Sequence, residues 1–149
     1  LARALALAPR VLLCDEVTAS LDLSLQAALV ELLRSVQLEG GLALLFVTHE
    51  PALLRRLPGR VGVMVQGWLV EEGPTEEILA APHHPASQLL LAGEPGPLAR
   101  PDAETATPPH LCPFAPRCAR RDARCAEAPP PRRARGERWV LCHRELPGE

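Results

Sequence analysis

Two short apolar runs, VLLCD at 11–15 and LALLFV at 42–47, constrain the fold of this chain more than any other feature. Each is a run of consecutive apolar residues too short for a stable helix, and each ends in polar groups: Asp15-Glu16 at the end of the first, Thr48-His49 after the second. Consecutive rather than alternating apolar residues are the pattern of parallel strands covered on both faces. Between the runs, Leu25, Ala28, Leu29, Leu32, Leu33 and Val36 recur at helical spacing. Asp22 or Ser24 is placed to cap the start of that helix and Gly40-Gly41 to end it. The order strand, helix, strand predicts an α/β sheet with a parallel portion, in which ligands gather at the carboxyl ends of the strands.

The rest of the first part of the chain keeps this alternation. LARALALA at 1–8 is a run of helix formers stopped by Pro9. A short helix is expected within 51–57, then strands VGVMV and WLVEEG about a turn at Gln66-Gly67, then a helix EEILAA with Thr75 as its cap. Residues 93–110 hold five prolines and no apolar period, the mark of a linker or surface wrap. No internal repeat is present.

Charge divides the chain in the same place. Residues 1–94 carry 6 Arg against 11 acids, and residues 95–149 carry 10 Arg against 7 acids, so the net charge of −2 hides two unlike halves. That balance gives no footprint for nucleic acid, and the Arg-rich part is poor in aromatic residues that would stack on bases, with one Phe, one Trp and no Tyr. No apolar run approaches the ~18 residues of a membrane span and no signal peptide is evident, which reads as a soluble, intracellular chain. The sequence contains no Lys.

Adjacent carboxylates at a strand end need a partner, because two unpaired charges in a crevice of low dielectric repel. A divalent cation answers this: one carboxylate holds the ion while its neighbour orients an attacking water, the division of labour that phosphoryl transfer uses. The sequence VLLCDEVTASLD, followed by a second strand ending in THE, resembles the Walker B strand, D-loop and switch histidine of ATP-binding cassette ATPases. The resemblance implies Mg²⁺-ATP chemistry in which Asp15 is the Walker B aspartate, Glu16 the catalytic glutamate, Ser20 and Asp22 the D-loop that crosses to a second ATPase subunit, and His49 the residue at the γ-phosphate. Val17 stands where the family usually has Pro. A P-loop needs a Lys for the β and γ phosphates, so this chain holds none. The expectation is the C-terminal part of a larger P-loop ATPase subunit, inactive alone.

The stretch GWLVEEGPTEEILAAPHHPASQLLLAGEP resembles the ATPase subunits of oligopeptide, dipeptide and nickel importers, with Pro82, His84, Pro85, Ser87, Leu89 and Leu90 on a P-x-HPYT-x-x-LL motif and Ala86 in place of its Tyr. His83 and His84 read as side chains of a solvated turn. The resemblance divides the chain into an ATPase segment at 1–81 and an extension at 82–149, the latter with a linker at 93–110 and a small irregular Cys-rich segment at 111–145. It also implies transmembrane permease subunits, an indirect solute-binding protein and a place on the cytoplasmic face of the membrane.

Cys112, Cys118, Cys125 and Cys142 are separated by five, six and sixteen residues, with no close pair of the kind structural zinc favours. Clustered thiols in an intracellular chain point to metal rather than disulfides, and all-thiolate ligation at loose spacing suits an iron–sulfur cluster. In the importer family CPF-x-PRC and two further Cys hold a [4Fe-4S] cluster, which the resemblance implies here. Zinc is the alternative, with His110 or His143 as a ligand. Cys14, mid-strand, reads as a small buried hydrophobe. Two other functions are compatible with the residues: an ATP-binding cassette protein with no transporter, and a metal-binding assembly module without ATPase activity.

Overall fold

The computed structural model describes residues 1–92 and 107–144 and divides the chain into two compact units, Leu1–Pro58 and Gly59–Glu149. The expected linker at 93–110 therefore lies outside the described residues except for 107–110, as does position 145.

In the first unit, α1 (Ala2–Leu5) precedes β1 (Val11–Asp15), α2 (Leu23–Gly40), β2 (Ala43–Val47) and α3 (Pro51–Leu54). Strands β1 and β2 pair in parallel from Val11 opposite Ala43 to Asp15 opposite Val47, with α2 as the crossover. Asp22 is the cap of α2: its Oδ1 accepts the backbone N–H groups of Ser24 and Leu25, both at 3.0 Å. Gly41 ends the helix at φ 61°, a left-handed conformation that Gly adopts without a Cβ penalty.

The strands are covered on one face and not on both. Leu12 and Cys14 are buried with Leu33 and Leu42, whereas Val11, Leu13 and Leu45 stand more than half exposed on the other side. The buried stripe of α2 is also turned from the expected one. Gln26, Val30 and Leu33 are buried, and Leu25 and Leu32 face outward. Gln26 tolerates burial because its Nε2 donates to Glu50 Oε1 at 2.9 Å and to Thr18 O at 3.3 Å. Val30 packs with Leu53 and Leu57 of the 51–57 segment.

The second unit is built on an antiparallel sheet of order β3-β4-β6-β5, from β3 (Arg60–Val65), β4 (Trp68–Pro74), β5 (Arg132–Arg135) and β6 (Arg138–Leu141). Gln66 and Gly67 both have positive φ, 47° and 83°, the geometry of a tight primed hairpin turn. Helices α4 (Thr75–Ala80) and α5 (Pro85–Leu91) follow β4, and α6 (Arg124–Glu127) precedes β5. Thr75 is the first residue of α4 and not its cap. Pro74 occupies that place, and the Thr75 N–H donates to Gly59 O at 3.0 Å.

The Cys-rich segment is not wholly irregular. Its last part is the β5–β6 hairpin, closed at Gly136, and β6 pairs with β4 through Glu71 opposite Val140 and Glu72 opposite Trp139. Close approach of the two strands depends on Gly73: a Cβ there would lie 2.7 Å from Arg138 Cβ and 3.2 Å from Ile78 Cδ1. Val63, Val70 and Ile78 form the core beside it. Among the described residues no helix is long and apolar enough to cross a membrane.

Candidate active site and cysteine pocket

The carboxyl ends of β1 and β2 are adjacent because the strands are parallel and in register, so whatever follows Asp15 must meet whatever follows Val47. The Glu16 N–H still donates to Val47 O at 3.0 Å, and the chain then leaves the strand through φ 47° at Glu16. A left-handed conformation at a residue with a Cβ costs ~1–2 kcal/mol, and such strain collects at functional sites. Its effect is to turn the Glu16 side chain across the strand ends, where Oε1 lies 3.3 Å from His49 Nδ1. Both side chains are more than half exposed, at 54% and 64%. Asp15 is exposed as well, so the acidic pair sits on open surface rather than in a closed crevice of this chain.

The histidine's loop is fixed from behind. Thr48 Oγ1 accepts the Glu50 N–H at 3.0 Å, and Glu50 Oε1 accepts from Gln26 of α2. Gln26 thus anchors the 48–50 segment to the first turns of the helix that follows the acidic pair. Sequence reasoning missed it, although a Gln among the apolar residues of the first turns of α2 is a usable signal. Of the other site residues read from sequence, Ser20 stands exposed in the 17–20 turn, and the Asp22 carboxylate is engaged as a helix cap with Ser24 Oγ at 2.7 Å.

In the second unit, Cys112, Cys118, Cys125 and Cys142 all line one pocket, together with His84, Phe114, Ala115 and His143. Its volume is ≈ 350 Å³ including the open mouth. Residues 30 apart in sequence meet here because the turn at Ala115–Arg117, helix α6 and the end of β6 surround the same space. Burial pushes the Cys112 and Cys118 thiols above the ordinary range, and the neighbouring sulfurs of Cys125 and Cys142 add to the rise. Among the described residues no three His, Cys, Asp or Glu side chains are arranged to hold a metal ion. His143 lines the pocket and its Nε2 lies 3.1 Å from Ala128 O, whereas exposed His110 is not on the lining.

His84 departs from its expected solvated turn. It is 1% exposed, its Nδ1 accepts the Ala86 N–H at 3.1 Å as the cap of α5, and burial lowers its pKa to about 4. Its backbone N–H and that of His83 donate to the two carboxylate oxygens of buried Glu71, at 3.0 and 2.8 Å. Cys14 is 2% exposed in the core of the first unit and takes no part in the pocket.

No family model matches the chain. It is 41% identical over 96% of its length to a Brucella abortus protein assigned as a peptide import ATP-binding protein, covering 45% of that protein. It is 36% identical over 87% of its length to the oligopeptide transport ATP-binding protein OppF of Salmonella typhimurium, covering 42% of it. A Haemophilus influenzae protein of the same name is 34% identical over 88% of the chain, with 43% of that protein covered. With these relatives the chain is a homologue of ATP-binding transport proteins. The particular match is to part of those named for peptide and oligopeptide import, and the chain spans less than half the length of these curated relatives.

Proposed function

We propose that this chain forms the hydrolytic side of the ATP-binding subunit of an ATP-binding cassette importer for oligopeptides or dipeptides. The observation that carries this reading is the 3.3 Å approach of Glu16 and His49 at neighbouring parallel strand ends, directly after Asp15. Asp15 would hold Mg²⁺, which when bound neutralises charge on the phosphate oxygens. Glu16 orients the attacking water and accepts its proton, and His49, held by the Gln26–Glu50 tie, faces the terminal phosphate. Ser20 and Asp22 lie on the turn that would reach a second ATPase subunit. Because the chain has no Lys, the P-loop that grips the nucleotide belongs to residues beyond it. The remaining partners of this reading are transmembrane permease subunits, with an external solute-binding protein acting indirectly, at the cytoplasmic face of the membrane.

Glu16→Gln in the full-length protein tests it. The expected outcome is loss of hydrolysis by ~10²–10⁴-fold with ATP still bound, since a positioned base is worth that much. Hydrolysis within about threefold of the parent would reject the assignment.

A second observation supports a second role for the extension at 82–149. Four thiols line one pocket. We propose that Cys112, Cys118, Cys125 and Cys142 would hold a [4Fe-4S] cluster, with zinc as the alternative; what favours the cluster is the all-thiolate donor set and the lack of a close Cys pair in the sequence. When bound, such a centre would add covalent links between the turn at Ala115–Arg117, helix α6 and the end of β6, beyond the packing around Phe114.

A further inference from the structure

We propose that His84 serves the cysteine pocket as a hydrogen-bond donor, its Nε2–H directed at a sulfur of the centre held there. The inference rests on the cluster reading of the four cysteines and adds a residue to it.

The tautomer follows from the hydrogen bonds. The backbone N–H of Ala86 can only donate, so Nδ1 of His84 must be the acceptor at 3.1 Å and the ring proton resides on Nε2. The ring cannot easily turn away. Its backbone is held by Glu71 Oε2, Gln88 Nε2 ties α5 back to Pro82 O at 2.9 Å, and the imidazole packs edge-on to Phe114 with centroids 5.8 Å apart. Phe114 is 2% exposed and belongs with Cys112 to one apolar cluster.

Held in this way, His84 lines the same pocket as the four cysteines. Among the described residues no hydrogen bond of Nε2 accompanies the one at Nδ1, and Nε2 is not one of the fully enclosed atoms without a partner, so this N–H is open to the space that the pocket encloses. Metal-bound thiolate and bridging sulfide are negatively charged acceptors, and hydrogen bonds to them are among the factors that tune and retain such centres. A donor built into a wall of four thiols has no better use.

Two variants separate this role from the helix cap. His84→Asn keeps an oxygen close to the Nδ1 position, able to accept the Ala86 N–H, but is too short to donate from the Nε2 position. His84→Gln places an amide N–H near that position and gives up the cap. The full chain and both variants are reconstituted without oxygen using ferrous iron and sulfide, folding is checked by circular dichroism, and iron release to a chelator is timed. The expected result is release ~10-fold faster from the Asn variant, with the Gln variant within about threefold of the parent. Fast release from the Gln variant with parent-like release from the Asn variant would make His84 only a cap and overturn the proposal. Equal release from all three would overturn it too. A parent that takes up no iron would reject the cluster itself, a result distinct from iron bound and unaffected by the Asn change.

Discussion

Arg138 Nη2 lies 2.9 Å from Glu71 Oε1, and neither side chain is more than 9% exposed. The pair joins β6 to β4, and Glu71 at the same time accepts the backbone N–H groups of His83 and His84, while Arg138 donates to Ala81 O at 2.7 Å. One buried carboxylate thereby fixes the last strand of the extension and the corner from which His84 reaches the cysteine pocket.

Arg138→Met should therefore be costly. Removing one partner of a buried pair leaves the other charged and uncompensated, which costs ~3–5 kcal/mol. Glu71→Leu would in addition strand two backbone donors. Denaturant unfolding of the two single variants and the double variant gives the coupling, and a loss under about 1 kcal/mol for Arg138→Met would place the pair among contacts of little consequence.

His49 tests the other site from the opposite direction. Its side chain is 64% exposed and makes few packing contacts, so His49→Ala should shift the thermal midpoint by no more than about 3 °C. ATP hydrolysis by the full-length protein should fall ~10²-fold, the usual effect of losing one group that meets developing charge. A midpoint that collapses, with activity tracking the folded fraction, would make His49 structural.

The cap at Asp22 has a pH signature. Hydrogen bonds from the Leu25 backbone and from Ser24 hold its carboxyl below the ordinary aspartate range. A lowered folded pKa means that the cap's contribution is fully present above the unfolded value of ~3.9 and is lost as pH falls through the lowered one. The gap in thermal midpoint between the parent and Asp22→Ala should be constant near neutrality and close in acid. A gap that widens in acid would contradict the sign.

The cysteines predict an asymmetry. Prepared without oxygen, the protein should be brown with roughly four iron per chain. Serine at any one of positions 112, 118, 125 or 142 should bleach it, and Cys14→Ser should leave the colour intact, because Cys14 is buried elsewhere in the core of the first unit. A colourless protein holding one zinc, lost on changing His143, would leave the ATPase reading untouched and replace the cluster.

Much of the first unit is legible in the chain. Short-range physics decides where VLLCD and ALLFV extend, where Asp22 caps a helix and where Gly41 stops it, and each follows from residues within a few positions. The acidic pair and the histidine are legible for the same reason: both follow directly on strand ends, and parallel strands place their ends together. Only tertiary structure decided the rest. Which face of α2 is buried depends on Gln26 finding Glu50, 24 residues on, and burial of His84 depends on Phe114 and Glu71. The hairpin of Arg132–Arg135 and Arg138–Leu141 carries no clean alternation, since three of the first strand's four residues are Arg. It becomes a strand pair because β4 offers an edge, Gly73 leaves room and Glu71 accepts the charge of Arg138. Partners 67 residues away supply the free energy there, and no local pattern records it.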